Sequence, residues 1–100
     1  MTGIATQDQV FVIVLDLTRA TNTPVSLPTI RHEASKRGFV GNCSAYRRRI
    51  NLLITGGLLR RHLGRGPERY TPSVDMTRPW VADVIQKGQH HHAQTTDAAI

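Results

Sequence analysis

Between Cys43 and Arg69 the chain reads CSAYRRRINLLITGGLLRRHLGRGPER. A helix turns about 100° per residue, and at that step Tyr46, Ile50, Leu53 and Ile54 share one apolar face. With Ile50 set at zero, Ser44, Arg48 and Thr55 lie within about 60° of the opposite pole and Asn51 on the flank near 100°. Gly56-Gly57 ends this pattern, and a short hairpin with an arginine-, glycine- and proline-rich tip follows it. The chain must therefore fold so that one helix shows the core an apolar stripe and shows the outside a polar, cationic one.

The charge distribution sharpens that reading. No acidic residue occurs between Ala34 and Pro67, whereas Lys36, Arg37, Arg47, Arg48, Arg49, Arg60, Arg61 and Arg65 all do. A field of one sign repels itself unless a polyanion neutralises it. A solvated cationic surface is the plainer alternative; the coincidence of charge with a helix and a hairpin favours nucleic acid. The net charge of +6 and an isoelectric point near 10.8 agree with an acidic partner. A membrane surface is the other candidate, but aromatic residues are few and no basic helix carries a broad apolar face.

One hundred residues make a single small domain with room for one appended helix. The lone cysteine, Cys43, excludes an internal disulfide and suits a reducing compartment. The apolar run Val10 to Leu15 is too short to cross a bilayer, and no signal pattern accompanies it. The expectation is a cytoplasmic, nucleoid-associated protein with no membrane partner.

Taken in order, Thr6 and Gln9 have the form of a capping box, so a first helix is expected from there to about Ala20, with Val10, Phe11, Ile13, Val14 and Leu17 inward. Its β-branched run also fits a strand, but length and cap favour the helix. After a turn at 21–24, Val25-Ser26 is long enough for a very short strand. Ser26 then caps a second helix with Pro28 in its first turn, Ile30 and Ala34 inward and Gly38 as the left-handed terminator. Phe39 and Val40 are expected to plug the space between helices, with Asn42 capping the third. Strands follow at 58–62 and 68–71, the second stopped by Pro72. Thr77 caps a fourth helix that Gly88 closes, with Trp80, Val81, Val84 and Ile85 as its stripe. From Gln89 onward the chain is polar and without period, and is expected to be disordered.

The order of helix, short strand, helix, turn, basic helix and arginine-tipped hairpin resembles a winged helix-turn-helix domain. The likeness is sharpest at Tyr46, Ile50, Leu53 and Gly57-Leu58, which are similar to the recognition helix and wing entry of MarR-, ArsR- and PadR-type regulators. Ala34 and Gly38 stand where such proteins place the small residue and turn glycine of the motif. The loop from Gly38 to Asn42 is looser than the tightest turn of that kind. The resemblance implies a mainly α fold with a small β-hairpin wing (α+β). It also implies a winged domain over residues 6–73, a C-terminal helix over 77–88 and a tail over 89–100.

In that family the third helix enters the major groove and the wing meets the neighbouring backbone or minor groove. Carried onto this chain, Ser44, Ala45 and Arg48 face base edges, while Arg47, Arg49 and Asn51 hold phosphates. Arg65 lies at the wing tip, with Arg60, Arg61 and Arg69 along the ribbon. The implied function is that of a double-stranded DNA-binding transcriptional regulator, a repressor or a plasmid- or phage-type accessory factor. A protein-interaction module within a replication or transcription assembly is the alternative. The fourth helix is the candidate for homodimerisation; the alternative is that its stripe folds back on the first helix of the same chain.

Other chemistry is weak. Cys43 falls near the core-facing side of the third helix and reads as a buried small residue, with a metal or redox sensor as the sharper alternative. His32 and His62 have no neighbour at ligand spacing, and His90-His91-His92 is a polar run that binds metal only opportunistically. Asp16, Glu33 and Asp83 are scattered and read as solvated. No phosphate loop, zinc-protease motif or nucleophile elbow occurs, so neither enzyme activity nor a cofactor is expected.

Overall fold

Thr6 opens the first helix by the reciprocal bonds its spacing predicts: its Oγ1 accepts from the Gln9 N–H at 3.2 Å, and Gln9 Oε1 accepts from the Thr6 N–H at 2.7 Å. A computed structural model describes residues 3–73 and 79–98, with residues 90–98 described by their backbone alone. The elements are α1 (Gln7–Thr21), β1 (Val25–Ser26), α2 (Leu27–Lys36), α3 (Cys43–Thr55), β2 (Leu59–His62), β3 (Arg69–Pro72) and α4 (Pro79–Ala98). The chain is mainly helical with a small antiparallel sheet, an α+β arrangement.

The run Val10 to Leu15 is buried on every side of α1. Helical periodicity predicts only one inward face. Two layers account for the difference, since α2, α3 and β3 pack on α1 and α4 packs on it as well. Asn22, in the left-handed region at φ 55°, ends the helix, its N–H bonding the Thr18 carbonyl at 2.7 Å.

Helices α2 and α3 end alike. Behind α2 the Phe39 N–H bonds the Ala34 carbonyl at 2.9 Å and the Gly38 N–H that of Ser35 at 3.0 Å; behind α3, Leu58 bonds Leu53 at 2.9 Å and Gly57 bonds Ile54 at 3.0 Å. This double closure needs a left-handed residue just past the helix. Gly38 and Gly57 supply it at φ 91° and 81°. Each closure also folds the next apolar residue, Phe39 or Leu58, onto the core. Val40 does not follow Phe39 inward: it is 54% exposed. Its backbone is used instead, its N–H bonding the Gly3 carbonyl and its carbonyl accepting from the Tyr46 hydroxyl at 2.7 Å.

The strands lie in the order β1-β3-β2, with Val25 opposite Tyr70 and Arg61 opposite Tyr70 on the other side. Pro72 ends β3 as its last paired residue, opposite Leu59. Its missing N–H is tolerated because β1 reaches only Arg69 and Tyr70, leaving that end of β3 an edge.

Helix α4 departs most from expectation. It does not stop at Gly88 but continues to Ala98, so the chain from Gln89 to Ala98 is helical rather than irregular. Gly88 is there because α1 is close: a Cβ at this position would lie 2.7 Å from Val12 Cγ2 and 2.9 Å from the Asp8 carbonyl oxygen. The stripe expected to pair two copies is used within the chain. Val81 is fully buried, and Val84 and Ile85 pack against the same core cluster; Trp80 is left 45% exposed. The expected cap Thr77 lies outside the described residues, as do the side chains of His90, His91 and His92. No helix among the described residues is long and apolar enough to cross a membrane.

Candidate nucleic-acid interface

Asn42 starts α3 by accepting the Ala45 N–H on its side-chain oxygen at 2.9 Å. Tyr46, Ile50 and Leu53 are buried, which fixes the rotation of the helix and turns Ser44, Arg47, Arg48, Asn51, Leu52 and Thr55 to solvent. Ala45 is half-buried at the edge of that face, and Cys43 is half-buried against the core. Cys43 also lines a groove between α3 and the hairpin with Leu27, Arg47, Glu68 and Tyr70.

The hairpin of β2 and β3 is closed at its root and tied to α3 by a side-chain bond. The Ser73 hydroxyl donates to the Gly57 carbonyl at 3.0 Å. Arg61 donates to Asn51 Oδ1 at 2.9 Å and lies 3.4 Å from the Glu68 carboxylate. Glu68 also accepts from the Tyr70 hydroxyl at 3.0 Å. Burial, and then the bond and charge of Glu68, raise the Tyr70 phenol above its ordinary value, while Arg61 and Arg47 pull the other way.

The cationic run is thereby divided. Arg37 is held by Asp16 and Glu33, each at 3.0 Å, so these two carboxylates are partners and not merely solvated charges. Arg49 turns from the outer face to the start of the chain, its Nε donating to the Ala5 carbonyl at 2.6 Å. Arg61 is shared between Asn51 and Glu68. Lys36, Arg47, Arg48, Arg60, Arg65 and Arg69 are exposed and make no ion pair among the described residues.

Of the residues singled out from sequence, Ser44, Ala45, Arg47 and Arg48 thus share the outward part of α3, and Arg60, Arg65 and Arg69 stand exposed on the adjoining hairpin. Asn51 and Arg61 are bonded to each other, and Arg49 is engaged elsewhere. Leu52, 48% exposed, also stands at the outer pole of α3. The same helical wheel that selects Arg48 selects it, about 40° away. His32 lines a groove with Arg31, Phe39 and Tyr46. Among the described residues no three metal-ligating side chains come together. What the exposed face offers chemically is guanidinium groups and other hydrogen-bond donors, groups able to bond anions.

No protein-family model matches the chain, and neither a curated protein nor a solved structure matches it.

Proposed function

We propose that the chain is a double-stranded DNA-binding protein of the winged helix-turn-helix type, acting as a sequence-specific transcriptional regulator. In this reading α3 is the recognition helix in the major groove, and the β2–β3 hairpin is the wing on the adjacent backbone or minor groove. One observation carries it: the exposed cations of α3 and of the hairpin, unpaired among the described residues, occupy two adjoining elements that the Arg61–Asn51 bond joins. Basic side chains gathered on one face in this way are the electrostatic footprint of a polyanion partner. Arg47, Arg60, Arg65 and Arg69 serve as phosphate contacts and Arg48 as the base reader. Pairing of two copies through α4 is not carried into the proposal, because α1 covers the stripe on which it rested. Anisotropy of a labelled random duplex at low salt tests the reading. Saturable binding in the micromolar range supports it, and no binding at about 10⁻⁴ M protein overturns it.

A further inference from the structure

The outer pole of α3 is not uniformly polar. Arg48 stands there between Ala45, one turn before it, and Leu52, one turn after it. Leu52 is 48% exposed, although single exposed leucines are common and by themselves indicate nothing. What distinguishes this one is its place one turn from Arg48 on the same pole, between flanks whose polar groups are partly engaged. Asn51 gives its oxygen to Arg61 at 2.9 Å, and Arg49 gives its Nε–H to Ala5 at 2.6 Å. At one-turn steps the half-buried Ala45, Arg48 and Leu52 run apolar, cationic, apolar, with Ser44 and Thr55 exposed beside them.

We propose that α3 reads a guanine flanked by thymine methyl groups, with Arg48 on the guanine and Leu52 as the residue that selects a thymine beside it. This rests on the DNA reading given above. An arginine bonds the N7 and O6 acceptors of guanine bidentately, and the one apolar group in the major groove is the C5-methyl of thymine. Ala45 and Leu52 are seven residues apart, about 10 Å along a helix axis at 1.5 Å per residue. At about 3.4 Å per base step that distance covers about three base pairs. One helix can thus set Ala45, Arg48 and Leu52 against neighbouring bases of a single short site. Burial of the Leu52 side chain against a methyl gives that exposed leucine an apolar partner, which cytosine and the purines do not offer.

The test uses the full chain and the duplex it selects from a random pool. The selected site should hold a guanine with thymine within three base pairs. Thymines are then replaced singly by deoxyuridine, which removes the methyl and nothing else. Loss of one buried methyl, worth about 0.8 kcal/mol, should lower affinity about fourfold at one position. Leu52→Ala, a surface change to a strong helix former, should bind the thymine duplex about fourfold more weakly and show no further loss with deoxyuridine there. Three results overturn the inference alone: selected sites without thymine near the guanine, a wild-type chain indifferent to deoxyuridine, or Leu52→Ala retaining the full deoxyuridine penalty. Absence of any duplex binding overturns the DNA reading and this inference with it.

Discussion

Arg61 on β2 and Asn51 on α3 are joined by a hydrogen bond of 2.9 Å, and the same guanidinium lies 3.4 Å from the Glu68 carboxylate on the far side of the hairpin. The bond ties the hairpin to the outer flank of α3. The carboxylate beside it offsets one positive charge on the surface proposed to meet DNA. Because Arg61 and Glu68 are both partly exposed, the pair adds little to stability.

Glu68→Gln should therefore strengthen duplex binding. The glutamine keeps an acceptor for the Tyr70 hydroxyl but releases Arg61 to a phosphate. Affinity at low salt should rise, and the slope of log K against log salt should steepen by up to about one unit. Matched salt titrations of the two proteins check this; an unchanged slope would place Arg61 away from the DNA.

The arginines of α3 and the hairpin should separate into three kinds. Arg48→Ala should cost about 1–3 kcal/mol on the preferred site and much less on random duplex. Arg65→Ala should weaken both about equally and shallow the salt slope by about one unit. Arg49→Ala should leave the slope alone and lower stability by about 1–2 kcal/mol, because it holds the Ala5 carbonyl. Paired titrations and thermal melts of the three variants resolve them.

Local signals in the sequence were enough for what depends on neighbours in the chain. Thr6 with Gln9 marked the start of α1, the four- and three-residue steps from Tyr46 to Leu53 oriented α3, and Gly38 and Gly57 marked the turns. Side-chain pairing was not legible, because partners come from afar: Asp16 reaches Arg37 across 21 residues and Ala5 reaches Arg49 across 44. Reading the cations as one uninterrupted field therefore overstated it. Gly88 misled for the same reason. A glycine after Lys87 looks like a helix end, and only the packed structure shows Val12 and the Asp8 backbone excluding a side chain there.

Gly88→Ala sets two effects against each other. Alanine favours the helix by about 1 kcal/mol, but its Cβ would meet the Asp8 carbonyl oxygen at 2.9 Å and Val12 at 2.7 Å, and overpacking costs about 1–3 kcal/mol. The contact with α1 backbone cannot be relieved by rotating a side chain, so the variant should melt at a lower temperature. A higher melting temperature would mean that α4 does not lie on α1 at this point.

Tyr70 makes stability fall at alkaline pH. Its raised phenol binds a proton more tightly in the folded chain than in the unfolded one, whose ordinary value is 10.0. That contribution is fully present below pH 10.0 and is lost as pH rises through the higher folded value. Tyr70→Phe should be less stable near neutrality, having lost the Glu68 bond, and should show a shallower decline above pH 10. Melting curves of both proteins between about pH 8 and 11 test this; parallel curves would contradict it.

The salt dependence of duplex binding bears most directly on the central proposal. With four to five phosphate contacts from Lys36, Arg47, Arg60, Arg65 and Arg69, the slope of log K against log salt should be about −3.6 to −4.5. Affinity for random duplex should then fall about 10²- to 10³-fold between about 50 and 200 mM salt. A slope near zero would contradict the account, leaving the basic face of α3 and its hairpin as a surface for a partner other than DNA.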